Sequence, residues 1–260
     1  MDENFQTYLN RAVRMTLPET YRTQVQHIQE SPKYEPDSTG GLKPLPFPGY
    51  TVITPPGSDD VENRPLFTAL EHIQKQLVER LGADVFAPVP GTSFHVTLAD
   101  LIWDSAYRHA LEEPSFESHL RDRIAQIFQE CTPIHDGGTI QFQVLGLMVM
   151  TRAVGVCLVP TDEPSYDRIL KFRRALYQNR DLIGLGIEQQ YYFTPHITLG
   201  YFGSDPKPEQ RSHMGEVFIE LNQQWQDQEP QLYHVARAEL RKFDDMTCYY
   251  REPDWAMFQF

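Results

Sequence analysis

Ser93-Phe94-His95-Val96-Thr97-Leu98 and, later in the chain, Thr194-Pro195-His196-Ile197-Thr198-Leu199 are the stretches that decide the fold. Both contain His, an apolar residue, Thr and Leu in that order. In an extended strand, residues two apart share a face. His95 therefore stands beside Thr97 while Phe94, Val96 and Leu98 turn toward a core, and His196 stands beside Thr198 in the same way. Each strand presents an imidazole and a hydroxyl on a face the core does not claim. With 40% hydrophobic residues and nine histidines, two such tetrapeptides would arise by accident in roughly one chain in a hundred.

Working outward, each histidine strand sits in a similar setting. Tyr50 to Thr54 reads as a strand closed by Pro55-Pro56. Leu66, Leu70, Ile73, Leu77 and Leu81 then form one apolar stripe, a helix ended by Gly82. After the first histidine strand, Ser105 to Glu130 reads as helix with a break near Pro114. A Gly137-Gly138 turn leads to Thr139 to Met150 and Val154 to Val159, a predicted hairpin. From Val154 the order recurs: a helix around Tyr166, Ile169, Leu170, Leu176 and Tyr177, the second histidine strand, a helix over Lys207 to Gln224, and strands over Leu232 to Phe243 and Thr247 to Phe260. Two copies of strand, helix, histidine strand, helix, strand predict an α/β (α+β) domain, bilobal, with internal two-fold pseudosymmetry. Its expected extent is 49–260, with lobes of about 49–150 and 151–260. Residues 1–48 are expected to form an extension: short helices interrupted by Pro18, then a connector with five prolines between Pro32 and Pro48.

The composition narrows the function. The chain has 260 residues and a net charge of −13, from 23 Lys and Arg against 36 Asp and Glu. Such an acidic balance repels phosphate backbones at long range, which argues against a protein that coats duplex DNA. A small anion in a locally basic pocket remains allowed. Val144 to Met150 is far too short to span a bilayer. Cys131, Cys157 and Cys248 are odd in number and widely spaced, which points to a reducing compartment. A cytoplasmic protein with no membrane contact is the expectation.

Two imidazoles and two hydroxyls suit phosphodiester chemistry. In-line displacement at phosphorus needs one group to deprotonate the attacking oxygen and another to protonate the leaving oxygen. Histidine does either near neutral pH. The hydroxyls can donate to the non-bridging oxygens. Such a site calls for no metal and no cofactor.

The paired His-x-Thr strands resemble the signature of the two-histidine (LigT-like) phosphoesterase superfamily over about Tyr50 to Phe243. The resemblance implies two pseudosymmetric lobes around a central groove, with His95 and His196 as the acid/base pair and Thr97 and Thr198 binding the phosphate. It also implies action on a cyclic phosphate or a 2′-linked ester of a nucleotide or short oligonucleotide. The extension is not part of the common family core.

Tyr192 shares strand parity with His196 and is a candidate to stack on a base or bond a phosphate. Tyr201 has the opposite parity and needs a bulge, for which Gly200 and Gly203 give licence. Arg152, in the expected hairpin turn, is a candidate phosphate contact, as are Arg241 and Lys242. Cys131 and His135 do not have the spacing of a zinc site, and Gly184-Leu-Gly186 lacks the third glycine of a dinucleotide fingerprint. The alternatives to an enzyme are a non-catalytic nucleotide- or RNA-binding module using the same groove, and an acidic interaction protein.

Overall fold

The computed structural model describes residues 2–38, 40–134 and 138–260. His135 and Gly137, the latter expected to begin the turn before the long hairpin, lie outside them. In chain order the helices are α1 (Phe5–Met15), α2 (Pro18–Gln24), α3 (Arg64–Leu81), α4 (Asp104–Ala110), α5 (Phe116–Glu130), α6 (Glu163–Tyr177), α7 (Arg180–Gly184) and α8 (Pro208–Gln226). The strands are β1 (Tyr34–Pro36), β2 (Leu42–Pro44), β3 (Gly49–Ile53), β4 (Phe86–Pro88), β5 (Thr97–Trp103), β6 (Ile140–Val149), β7 (Ala153–Pro160), β8 (His196–Phe202), β9 (Leu232–Val235), β10 (Arg237–Phe243), β11 (Tyr249–Tyr250) and β12 (Met257–Gln259).

These elements follow from local chemistry. The stripe Leu66, Leu70, Ile73 and Leu77 is buried along α3, which ends at Gly82 with φ +96°, a backbone state that favours glycine. Asp162 caps α6 through the Ser165 amide, with Pro164 in the first turn. Every residue of β7 is buried, as expected of a central strand covered on both faces.

The strands form two five-stranded antiparallel sheets. One has the order β11-β10-β3-β5, with β12 also paired to β10, and the other β4-β8-β7-β6-β9. The first carries the Thr97 strand and the second the His196 strand. The division between sheets does not fall at 150/151, which lies in the turn of the β6–β7 hairpin inside the second sheet. The C-terminal strands β10 to β12 instead return to the first sheet beside β3. The run expected as one strand from Leu232 to Phe243 splits at Ala236, where the chain passes from one sheet to the other. Of Thr247 to Phe260, only β11 and β12 pair.

Both histidine strands begin later than their composition suggests. Gly91–Ser93 is a 3-10 turn, so His95 precedes β5, and His196 is the first residue of β8. Each strand then carries bulges. Opposite β3, Val52 pairs with Ala99 and Ile53 with Thr97, skipping Leu98, while Tyr50 pairs with Ile102 and Thr51 with Asp100, skipping Leu101. Opposite β7, Gly155 pairs with Thr198 and Val154 with Gly200, skipping Leu199. A bulge puts two residues against one and reverses the alternation beyond it.

The N-terminal helices are built into the second sheet. Buried Tyr8 donates its hydroxyl to Leu158 O at 2.6 Å and Tyr21 to Leu147 O at 2.7 Å, and the Tyr8 ring stacks on Tyr166 at 4.9 Å. The proline-rich connector forms the β1–β2 hairpin. It ties to the second sheet by Ser31 N to Phe202 O at 2.8 Å and to the first by Phe47 N to Asp244 O at 2.7 Å, so it straps across between the two.

Candidate active site

A cavity of about 620 Å³ lies where the two sheets meet, within the range of small-ligand sites. His95, Thr97, His196 and Thr198 all line it. The two rings are held alike. His95 Nδ1 lies 2.7 Å from Ser93 O and His196 Nδ1 2.8 Å from Thr194 O. A carbonyl oxygen only accepts, so Nδ1 carries the proton and donates in each ring, and Nε2 keeps its lone pair.

Buried polar contacts position the strands. Thr54 Oγ1 accepts from Val96 N at 2.9 Å and meets the Tyr233 hydroxyl at 2.6 Å, fixing the residue after His95 and joining the sheets. Gln74 of α3 donates both to Val89 O at 2.7 Å and to Leu199 O at 2.6 Å, between the two histidine segments. Arg11 of α1 donates to Thr194 Oγ1 at 2.7 Å and Phe193 O at 2.9 Å, bracing the turn that holds His196.

Burial disfavours the charged imidazole. It pulls His95 down to about 4 against the Ser93 hydrogen bond, and the other imidazole pushes the same way. Burial also lowers His196, opposed by its bond to Thr194 and by the Asp100 carboxylate. Asp100 itself is raised by burial and held back by Arg173 and Lys33. The pair is therefore not equivalent: His196 alone has a carboxylate favouring its protonated form.

The bulges decide who joins the histidines. Beyond the one at Leu98, Asp100 turns to the cavity side, and beyond the one at Leu199, Tyr201 does the same; both line the cavity. His95, just before β5, with Thr97 and Asp100 in it, thus corresponds to His196, Thr198 and Tyr201 of β8. Tyr192 also lines the cavity, 46% exposed at its rim, but it lies in the irregular segment before β8 and not in a strand. Arg152 lines the cavity from the β6–β7 turn.

Arg241 and Lys242 do not reach it. Arg241 is buried against Glu239 and Asp59, and Lys242 bonds Glu117 at 2.7 Å. Charges on β10 are consumed by partners on its flanks.

Among the lining residues that sequence reasoning missed, four bear on the histidines or on the charge of the cavity. Asp100 could have been found by laying one histidine strand over the other, had the bulges been known. Tyr249, whose ring meets His95 edge-on at 4.3 Å, comes from the C-terminal strands. Arg173 of α6 is 6% exposed, donates to Leu98 O and lies against the Tyr177 and Phe193 rings. Lys33 enters from the connector. The last three carry no local motif.

Two imidazoles on one cavity, one from each histidine segment and each with a threonine two residues on, form the paired arrangement that acid-base chemistry at phosphorus calls for. Residues 37–128 match the family described as 2H-phosphodiest, a domain of unknown function (DUF1868). A conserved protein of unknown function from Agrobacterium tumefaciens shares the fold, with 18% identity, a TM-score of 0.54, and coverage of 81% of this chain and 86% of that one. Weaker likenesses are Escherichia coli LigT complexed with 3′-AMP, at 13% identity, TM-score 0.43 and coverage of 82% and 95%, and Kluyveromyces marxianus Usb1 with uridine monophosphate, at 11%, 0.45, and 82% and 97%. No curated protein matches the sequence. No helix among the described residues is long and apolar enough to cross a membrane.

Proposed function

We propose that this chain opens a cyclic phosphate, or cleaves a 2′-linked ester, of a nucleotide or short oligonucleotide by His/His acid-base catalysis. The observation that carries this is the convergence of His95 and His196 on one cavity, with both Nδ1 atoms engaged by backbone carbonyls. Each ring then has one nitrogen left for chemistry.

The asymmetry between the rings supports a division of roles. His95, neutral down to about 4, takes a proton from the attacking water at Nε2. The water oxygen bonds to phosphorus as the bond to the ribose oxygen breaks. His196, whose imidazolium Asp100 favours against the larger opposing effect of burial, gives its Nε2 proton to that leaving oxygen once it is charged. Thr97 and Thr198 donate to the non-bridging oxygens, where negative charge is held. The nucleotide ligands of LigT and Usb1 accord with a substrate of this class.

His95→Ala and His196→Ala should each lower kcat on a 2′,3′-cyclic mononucleotide by at least about 100-fold. Full turnover in both variants would sink the assignment.

A further inference from the structure

Three cationic side chains line the cavity: Lys33, Arg152 and Arg173. Two of them are already occupied. Arg173 acts on the Asp100 carboxylate and lies between aromatic rings. Arg152 is exposed at the hairpin turn and reaches Gln29 Oε1 at 3.4 Å. Lys33 differs. Among the described residues no carboxylate lies within 4.0 Å of its ammonium.

The ammonium is aimed by its surroundings. It sits 4.7 Å from the Phe47 ring centre and 4.8 Å from that of Tyr201, and it donates to the Tyr201 hydroxyl at 3.4 Å. The backbone beneath it is anchored: Leu45 N bonds Lys33 O at 2.8 Å, and Tyr34 stacks on Tyr201 at 5.6 Å. Its charge is felt by His95, His196 and Asp100 alike. An ammonium has three donors. A half-buried one whose hydrogen bond among the described residues is a long one to a phenol, and whose nearest carboxylate influence, from Asp100, acts from beyond 4.0 Å, is placed to receive an anion.

We propose that Lys33 is a substrate-binding residue: its ammonium contacts the non-bridging phosphoryl oxygens of the bound phosphate ester, so the connector ahead of the domain completes the site. The proposal rests on the two-histidine reading and extends it to a residue upstream of the matched segment 37–128. The extension is then part of the catalytic cavity, and its strap between the sheets holds the cation in place.

The test is titration of inorganic phosphate and of a nucleoside monophosphate into the full chain by calorimetry, with kcat and KM on a 2′,3′-cyclic mononucleotide beside it. Lys33→Met preserves the aliphatic packing on Phe47 and Tyr201, Lys33→Arg preserves the charge, and Lys33→Gln serves if the Met variant melts early. Loss of a charge-assisted contact should weaken both ligands about 10- to 100-fold in the neutral variants. Lys33→Arg should recover most of that binding. Binding by the neutral variants within twofold of the wild type overturns the proposal, as does a wild type that binds neither ligand. Full turnover in both His95→Ala and His196→Ala would instead defeat the two-histidine reading, whatever Lys33→Met does.

Discussion

At the scale of single residues, Asp100 distinguishes two otherwise matching halves. Its carboxylate stabilises the protonated form of His196, while Tyr201 fills the corresponding place beside the other strand. Removing that charge should make His196 lose its proton more easily. For Asp100→Asn, the descending limb of the pH–rate profile is expected to move to lower pH, with activity lost first at the alkaline end. A profile that stays put, or moves alkaline, would place the acid elsewhere. The sequence exposes His95, Thr97, His196 and Thr198 because i and i+2 share a face without any long-range information. Asp100 lies at i+5, where simple alternation puts it on the opposite face.

At the scale of elements, the bulges in β5 and β8 form the site, and small residues make room for one of them. A Cβ on Gly200 would stand 2.4 Å from Ala87 O and 2.5 Å from the Phe86 ring. Gly200→Ala should therefore push β4 off β8, cost about 1–3 kcal/mol, and raise KM by displacing Tyr201. Thermal melting and steady-state kinetics check both halves, and a variant as stable as the wild type would mean that the strand yields freely. The N-terminal helices are expected from sequence, together with their break at Pro18, because helical spacing and proline are local signals. Their docking is not local. Tyr8→Phe leaves the buried Leu158 carbonyl without its donor and should destabilise the fold by about 1–3 kcal/mol, read from denaturant midpoints. An unchanged midpoint would mean α1 contributes only its apolar face.

For the whole molecule, burying two neutral imidazoles ties stability to pH. The unfolded chain takes a proton on His95 below about 6.5, whereas in the fold this waits until about 4. Between those values the unfolded state binds more protons, so stability falls as pH falls through the window and levels off below it. His196, also depressed, adds to the slope in the same direction. Melting temperatures recorded from pH 7 to pH 4 should drop less steeply for His95→Gln than for the wild type. Equal slopes would show that the ring is hydrated and titrates normally in the fold.

The repeat of strand, helix and histidine strand was legible because it is written in local periodicity, but periodicity does not say which strands pair. The boundary expected at 150/151 falls inside one sheet, since β6 pairs with β7 and β10 to β12 return to β3. Local sequence by itself determined the two His-x-Thr strands, the chemistry they can perform and most of the helices, because side-chain alternation and capping act over a few residues. Only the tertiary structure decided that the two histidines share a cavity, that bulges bring Asp100 and Tyr201 to it, and that Lys33 crosses from the connector to join them. Those outcomes depend on pairing and packing between residues far apart in the chain, where the interaction energy belongs to the assembled sheets and to no single segment.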